Sequence, residues 1–289
     1  MSHKDLNYFG NRFERSLAGW LAVFSGLMLA WLAIRGPLCQ NFISYKTHPL
    51  VVNQLLGQDA VNLFLISPLL VVAGILLLRR KRTGKYLLLM TPLFLMYYAI
   101  SYMMGWEWMA KEYYGNSEKY FFHFLFILIS AVVFLLYGIH VFPKQVKARF
   151  TKKGLGIYSF LFCVFLSAFA YMWMKEIFLV MQTGTARGYD IAPGAFWLVR
   201  TIDLGFCIPL GFISIYLLWT RPEQAYTLQY LFYGFFLTQV IAVLAMAGVM
   251  YVKSDPTFDA ASSLIFVILS LIIVGGFVFI NRNYRLKAR

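Results

Sequence analysis

Long apolar runs, separated by short polar segments, recur along the whole chain. A membrane-spanning helix needs about 20 consecutive, mostly apolar residues, because each residue advances the helix by about 1.5 Å. Eight runs meet this requirement, and they cover residues 16–34, 59–78, 86–104, 121–142, 154–181, 196–219, 227–251 and 260–281. The pattern therefore predicts an all-α integral membrane protein with eight transmembrane helices.

Composition agrees with this class of protein. Hydrophobic residues make up 61% of the chain, charged residues make up 13%, and the mean hydropathy is +0.68. These values lie outside the range of soluble globular domains. The first apolar run is too long for the core of a signal peptide, and no A-x-A-like site follows it. We therefore expect the first helix to remain in the mature protein.

The basic residues are concentrated in alternate connections between the predicted helices. Eighteen of the 26 lysines and arginines lie in five segments, namely Lys4 to Arg15, Arg79 to Lys85, Lys144 to Lys153, Arg221, and Arg282 to Arg289. The positive-inside rule places these segments, and with them both termini, in the cytoplasm.

The net charge of +14 is explained by this topology. No nucleic-acid recognition motif accompanies the charge, so nucleic acid is excluded as a partner. Basic segments such as RRKRTGK are expected to contact the headgroups of membrane lipids.

The connections on the opposite side carry few basic residues. The segment 35–58 is the longest of them and is expected to carry a short helix on the membrane surface. The connection after the third helix, WEWMAKEYYGNSEKY, contains Trp106, Trp108, Tyr113 and Tyr114. Such residues are typical of an aromatic belt at the outer interface.

Polar and ionisable residues inside the predicted helices are the candidate functional groups, because their burial in a membrane is costly. They lie mostly in the outer third of the predicted bundle. Asp59 and Asn62 are three residues apart and share a helix face. The whole set comprises Asp59, Asn62, His123, Lys175, Glu176, Arg200, Asp203 and Gln239.

The two halves of the chain share a sparse pattern. When Pro68 is aligned with Pro209, Asn62 falls on Asp203 and Arg80 falls on Arg221. The simplest account is a parallel duplication of a four-helix unit, with halves at residues 1–150 and 151–289.

The order of these motifs resembles a family of bacterial multi-pass membrane proteins that has no assigned activity. The resemblance rests on Asp59, Asn62 and Pro68 before RRKRTGK, on YYAISYMMG and KYFFHFLFILIS, and on RTIDLGFCIPLGF. It covers most of residues 55–250. It implies a location in the bacterial inner membrane and assigns no catalytic residue.

Two interpretations of the buried charges remain open. In one, the charges only fix helix packing, either because Arg200 and Asp203 pair along one helix or because Lys175 and Glu176 pair with them across helices. In the other, Asp59, Asn62, His123 and the charged residues converge on a polar cavity that opens to the outer face.

Binding of a small molecule or lipid is the favoured function. The sequence contains no H-E-x-x-H, G-x-S-x-G or Walker motif and no paired histidines with metal-ligand spacing, and we expect neither a metal nor a cofactor. The alternatives are a proton-coupled transporter, an intramembrane enzyme acting on lipid-like substrates with Asp203 or Glu176 as acid or base, and a structural subunit with a protein partner in the membrane.

Overall fold

The computed structural model describes residues 8–143, 146–186 and 188–286. Within them it contains eight helical segments long and apolar enough to cross a membrane, which confirms an all-α, multi-pass membrane fold. Their bounds are Arg12–Arg35, Pro49–Leu78, Arg82–Met104, Ser117–Val141, Lys152–Thr183, Pro193–Thr220, Pro222–Val252 and Ala260–Asn283.

Several of these segments are composite, and the α-helices are numbered in chain order. They are α1 (Arg12–Arg35), α2 (Pro49–Val61), α3 (Ser67–Leu78), α4 (Arg82–Leu89), α5 (Pro92–Met104), α6 (Phe121–Val141), α7 (Lys152–Thr183), α8 (Pro193–Ile202), α9 (Ile208–Thr220), α10 (Pro222–Val252) and α11 (Ala260–Asn283). A 3₁₀ turn at Ser117–Tyr120 precedes α6.

Helix starts follow local sequence signals. The Asn11 side chain accepts a hydrogen bond from the Glu14 amide, and the Glu14 carboxylate accepts one from the Asn11 amide, which is a capping box for α1. Thr151 and Asp259 cap α7 and α11 with their side-chain oxygens. Helices α2, α5, α8 and α10 carry proline in the first turn, where the missing N–H is not needed.

The second span begins ten residues earlier than the apolar run predicts. The short surface helix expected before Gln58 is absent, because Pro49 starts α2 and the same helix continues into the membrane. The third span is not one continuous helix. It breaks at Met90 and Thr91, since Pro92 cannot continue the hydrogen-bond ladder from α4.

A π-helical segment interrupts the second span and another interrupts the sixth. The first π segment is Asn62–Ile66 and the second is Asp203–Cys207. The Ser67 amide donates a hydrogen bond to the Asn62 carbonyl, and the Ile208 amide donates one to the Asp203 carbonyl. Both bonds span five residues, which is the spacing of a π-helix. Pro68 and Pro209 follow the two segments at the same spacing. A wide turn accommodates a proline ring that would otherwise collide with the preceding turn.

The basic connections meet at one end of the bundle, here called the basic end. The short strands β1 (Val146–Ala148) and β2 (Tyr284–Leu286) pair antiparallel there. The Lys85 ammonium is fully buried and donates to the carbonyls of Tyr8 (2.7 Å) and Val141 (3.1 Å). Five of the residues used for the topology prediction, Lys4, Lys144, Arg187, Lys287 and Arg289, lie outside the described residues.

The loops of both halves are tied together at the other end, here called the distal end. The Asn116 side chain donates a hydrogen bond to the Phe42 carbonyl and accepts one from the Ser44 amide. The Glu107 carboxylate accepts a 2.7 Å hydrogen bond from the Gly194 amide at the start of α8. A negative charge at a helix N-terminus is favourable. Asn53 of α2 donates to the Asp255 carboxylate at 2.7 Å.

The Asp255 carboxylate also accepts hydrogen bonds from the backbone amide and the hydroxyl of Thr257. Burial opposes ionisation, but these hydrogen bonds and that from Asn53 outweigh it and lower the pKa of Asp255. The loop between α10 and α11 is therefore held to α2 most strongly when Asp255 is ionised.

Helix α10 forms the seam between the halves. A Cβ atom at Gly57 would lie 2.4 Å from the Met246 Cα atom, and one at Gly234 would lie 2.5 Å from that of Met90. Glycine is required at both points because the backbones of α10 and its neighbours cross in direct contact.

Candidate ligand-binding cavity

A cavity of about 360 Å³ lies between the two halves in the distal part of the bundle. Its walls come from α2, α5, α7, α8, α10 and α11, and they are mainly aromatic and aliphatic. The first half contributes Phe94, Tyr97, Tyr98 and Tyr102, while the second contributes side chains such as Phe165 and Leu198. The cavity is thus less polar than the sequence predicts.

Three buried polar atoms of cavity-lining residues have no hydrogen-bond partner within the described part of the protein. They are Ser101 Oγ, Trp106 Nε1 and Gln239 Oε1. Buried polar atoms are normally paired, because leaving one unpaired costs about 1–3 kcal/mol. Ser101 Oγ and Trp106 Nε1 can donate a hydrogen bond, and Gln239 Oε1 accepts one.

The second half places Asp203 in the cavity wall. Asp203 begins the second π segment, is 6% exposed, and accepts a 2.9 Å hydrogen bond from Trp173 Nε1. Arg200, one turn earlier, forms an ion pair with Glu176 across to α7 and lies over the rings of Trp173 and Phe196. Arg200 does not line the cavity, so its charge is directed toward Glu176.

Lys175 does not join this cluster. It is exposed on α7 and forms no ion pair among the described residues. Of the pairings that the sequence left open, the contact between Glu176 and Arg200 forms, whereas Arg200 and Asp203 do not pair within their helix. The ion pair fixes α8 against α7 and leaves Asp203 at the cavity.

The first half holds a second polar cluster behind the cavity wall. The Tyr45 hydroxyl lies 3.1 Å and 3.2 Å from the two carboxylate oxygens of Asp59, which is fully buried. The Tyr45 ring stacks on Trp106 and meets Tyr102 edge to face. Burial and the nearby Asp59 carboxylate raise the pKa of Tyr45 well above its ordinary value.

Asp59 and Asn62 therefore support the cavity without lining it. Gln58, which does line it, donates to Asn62 Oδ1 at 3.3 Å. Trp106 is buried in the stack with Tyr45 and is not part of an interfacial belt, which corrects the expectation from the sequence.

His123 lies elsewhere. Its ring stacks on Trp31 of α1 with centroids 5.1 Å apart, and it is not among the cavity-lining residues. The candidate residues therefore do not converge on one site but form three groups. Asp203 and Gln239 line the cavity, and His123 and Lys175 lie apart from it. The remaining four pack behind the cavity wall, namely Asp59, Asn62, Glu176 and Arg200.

The sequence contains a signal for the aromatic wall. Tyr98 and Tyr102 in YYAISYMMG are four residues apart and so share one side of the third span, and Trp106 follows just beyond its end at Met104. Ser101 and Trp173 also belong to the site, and no local spacing in the sequence identifies them.

Comparison with models of known protein families, with characterised proteins and with solved structures found no match for this chain.

Proposed function

We propose that this multi-pass membrane protein binds a small amphipathic ligand in the cavity between its halves. The observation that carries the proposal is an aromatic cavity of about 360 Å³ in which three lining residues, Ser101, Trp106 and Gln239, each keep a buried polar atom without a partner among the described residues. Ligand pockets commonly have volumes of about 300–1,000 Å³ and combine apolar walls with a few polar groups. A ligand with hydrogen-bonding groups at one end would satisfy these atoms.

Binding fits the site better than acid–base catalysis. Asp203 is the one carboxylate among the described residues that line the cavity, and its oxygen already accepts a bond from Trp173. Asp59 lies behind Tyr102 and Trp106. A reaction that needs two converging carboxylates has no second group here.

Binding also fits better than transport through the bundle, because the part nearer the basic end is closed. The hydroxyls of Tyr158 and Tyr233 lie 2.7 Å apart, and Tyr158 donates to Gln229 Oε1 at 3.3 Å. Gln229 in turn donates to the Ser214 carbonyl at 2.9 Å. This buried network is packed among aromatic rings and joins α7, α9 and α10 between the cavity and the basic end.

We further propose that the protein arose by duplication of a four-helix unit and lies in a bacterial inner membrane with both termini in the cytoplasm. The two π segments support the duplication, because they begin at the aligned residues Asn62 and Asp203 and precede the aligned prolines. The concentration of basic residues at one end supports the orientation.

The binding proposal is tested by native mass spectrometry of gently purified protein. The double substitution of Ser101→Ala with Gln239→Leu removes one donor and one acceptor, and we expect it to reduce the retained ligand roughly tenfold, since each hydrogen bond contributes about 0.5–1.5 kcal/mol. Thr238→Val is the matched control, because the Thr238 hydroxyl bonds only carbonyls of its own helix. Equal retention by all three proteins would contradict the proposal.

A further inference from the structure

Helices α7 and α11 contact each other near the basic end. A Cβ atom at Gly276 would lie 2.5 Å from the ring of Phe162. The ring of Tyr158 stacks on Phe279 with centroids 5.2 Å apart and an interplanar angle of 19°. Aromatic side chains thus join the two helices over the turns nearest the basic end.

The same helices are unpacked toward the distal end. Within α7 no residue between Leu166 and Val180 is buried, and within α11 the first buried residue is Ile273. The cavity lies between these stretches, and Phe169 and Trp173 of α7 and Phe266 and Leu269 of α11 line it. This side of the cavity is closed only by partly exposed side chains.

The outer surface on this side of the cavity is apolar apart from Lys175, which is exposed on the same stretch of α7. Tyr171 and Phe178 of α7 are 66% and 60% exposed, and Leu264 and Ile268 of α11 are 61% and 50% exposed. Both stretches belong to membrane-spanning segments. This side of the cavity therefore faces lipid hydrocarbon and not water.

The charges at the cavity restrict what can bind. No lysine, arginine or histidine is among the described residues that line it, and Asp203 is a carboxylate. An anionic headgroup would be buried beside Asp203, and Arg200, one turn away, is already paired with Glu176, so burial of a second negative charge there is unfavourable. The unpartnered atoms instead suit an uncharged head with hydroxyl or carbonyl groups.

Resting on the proposed binding function, we infer that the ligand is an uncharged lipid-like amphiphile that enters sideways from the distal leaflet between α7 and α11. Its head lies against Ser101, Trp106 and Gln239. Its acyl or isoprenoid tail leaves through the gap between Phe169 and Leu269, because the cavity is too small to enclose the whole molecule.

The test uses the full chain in two sets of nanodiscs, one supplemented with dioleoylglycerol and the other with dioleoylphosphatidylglycerol. These lipids have the same tails, but only the second carries a headgroup charge. Native mass spectrometry of the released protein is expected to show an adduct of dioleoylglycerol at least about tenfold more abundant than that of the anionic lipid. A preference for the anionic lipid would overturn the inference about the head.

The route is tested with Leu269→Trp, which fills the gap, beside Ile268→Trp, which adds the same ring to the lipid-facing side of α11. We expect the Leu269 variant to lose the dioleoylglycerol adduct about tenfold and the Ile268 variant to keep it. Equal adducts would overturn lateral access. If Leu269→Trp does not fold, Leu269→Phe makes the same comparison with a smaller ring.

The two proposals can fail separately. If the purified protein retains a water-soluble or charged ligand that Ser101→Ala with Gln239→Leu removes, the binding function stands and the lipid inference is wrong. If neither a retained ligand nor a lipid adduct responds to any of these substitutions, both are wrong.

Discussion

At the scale of single residues, the most informative contrast lies between two neighbours on α7. Glu176 pairs with Arg200 of α8, while Lys175 is exposed and unpaired among the described residues. The sequence marks both as costly intramembrane charges. Glu176 offsets that cost through its partner, and the long side chain of Lys175 allows its ammonium group to reach the headgroup region.

We therefore predict that Glu176→Gln lowers the free energy of unfolding by about 2 kcal/mol, the range for hydrogen bonds to charged groups. Thermal unfolding in detergent measures the change, and Lys175→Gln is the matched control with little expected effect. Equal losses of stability in the two variants would contradict the assignment of the ion pair.

At the scale of elements, close helix crossings organise the fold. Helix α10 crosses α2 at Gly57 and the α4–α5 break at Gly234. The break itself follows from Pro92, and it places the Met90 backbone where Gly234 can receive it. Small residues at such points allow van der Waals contact between backbones, which is the main source of helix association in lipid.

Substitution of Gly57 by alanine is predicted to destabilise the protein by about 1–3 kcal/mol, because the added methyl group would overlap the Met246 backbone. Gly248→Ala is the comparison within α10. A Cβ atom there meets nothing within 4 Å, so the better helix propensity of alanine should raise stability by up to about 1 kcal/mol. Melting temperatures that shift in the same direction for both variants would argue against the crossing.

At the scale of the whole molecule, the basic and distal ends differ in charge and in architecture. The basic end joins β1 to β2 and buries Lys85, whereas the distal end holds the interlocked loops and the cavity. Orientation in the membrane then decides which leaflet and which compartment the cavity can sample.

Cys39 allows a direct test of orientation, because it is exposed in the first distal loop. With Cys163 and Cys207 replaced by alanine, we expect a membrane-impermeant maleimide to label Cys39 in intact bacterial cells. A Lys147→Cys variant that also carries Cys39→Ser presents its thiol at the basic end, and it should be labelled only after permeabilisation. The reverse pattern would place the termini outside.

The sequence by itself determined the class of the protein and the eight spans, because hydrocarbon thickness dictates the length of an apolar run. It also identified Asp203 and Gln239, since polar residues stand out in an apolar helix. It could not show which apolar side chains pack inside. In a membrane the lipid-facing and core-facing positions are both hydrophobic, so Phe64 (76% exposed) and Phe94 (1% exposed) look alike in the pattern.

Only the tertiary structure decided where the polar groups meet. The Asp59 cluster and the Asp203 cluster lie on opposite sides of one cavity because α10 brings the halves together, and that contact joins residues far apart in the chain. The partner of Arg200, the stacking that buries Trp106, and the lack of buried residues in the distal stretches of α7 and α11 likewise depend on long-range packing. Local periodicity carries no information about such contacts.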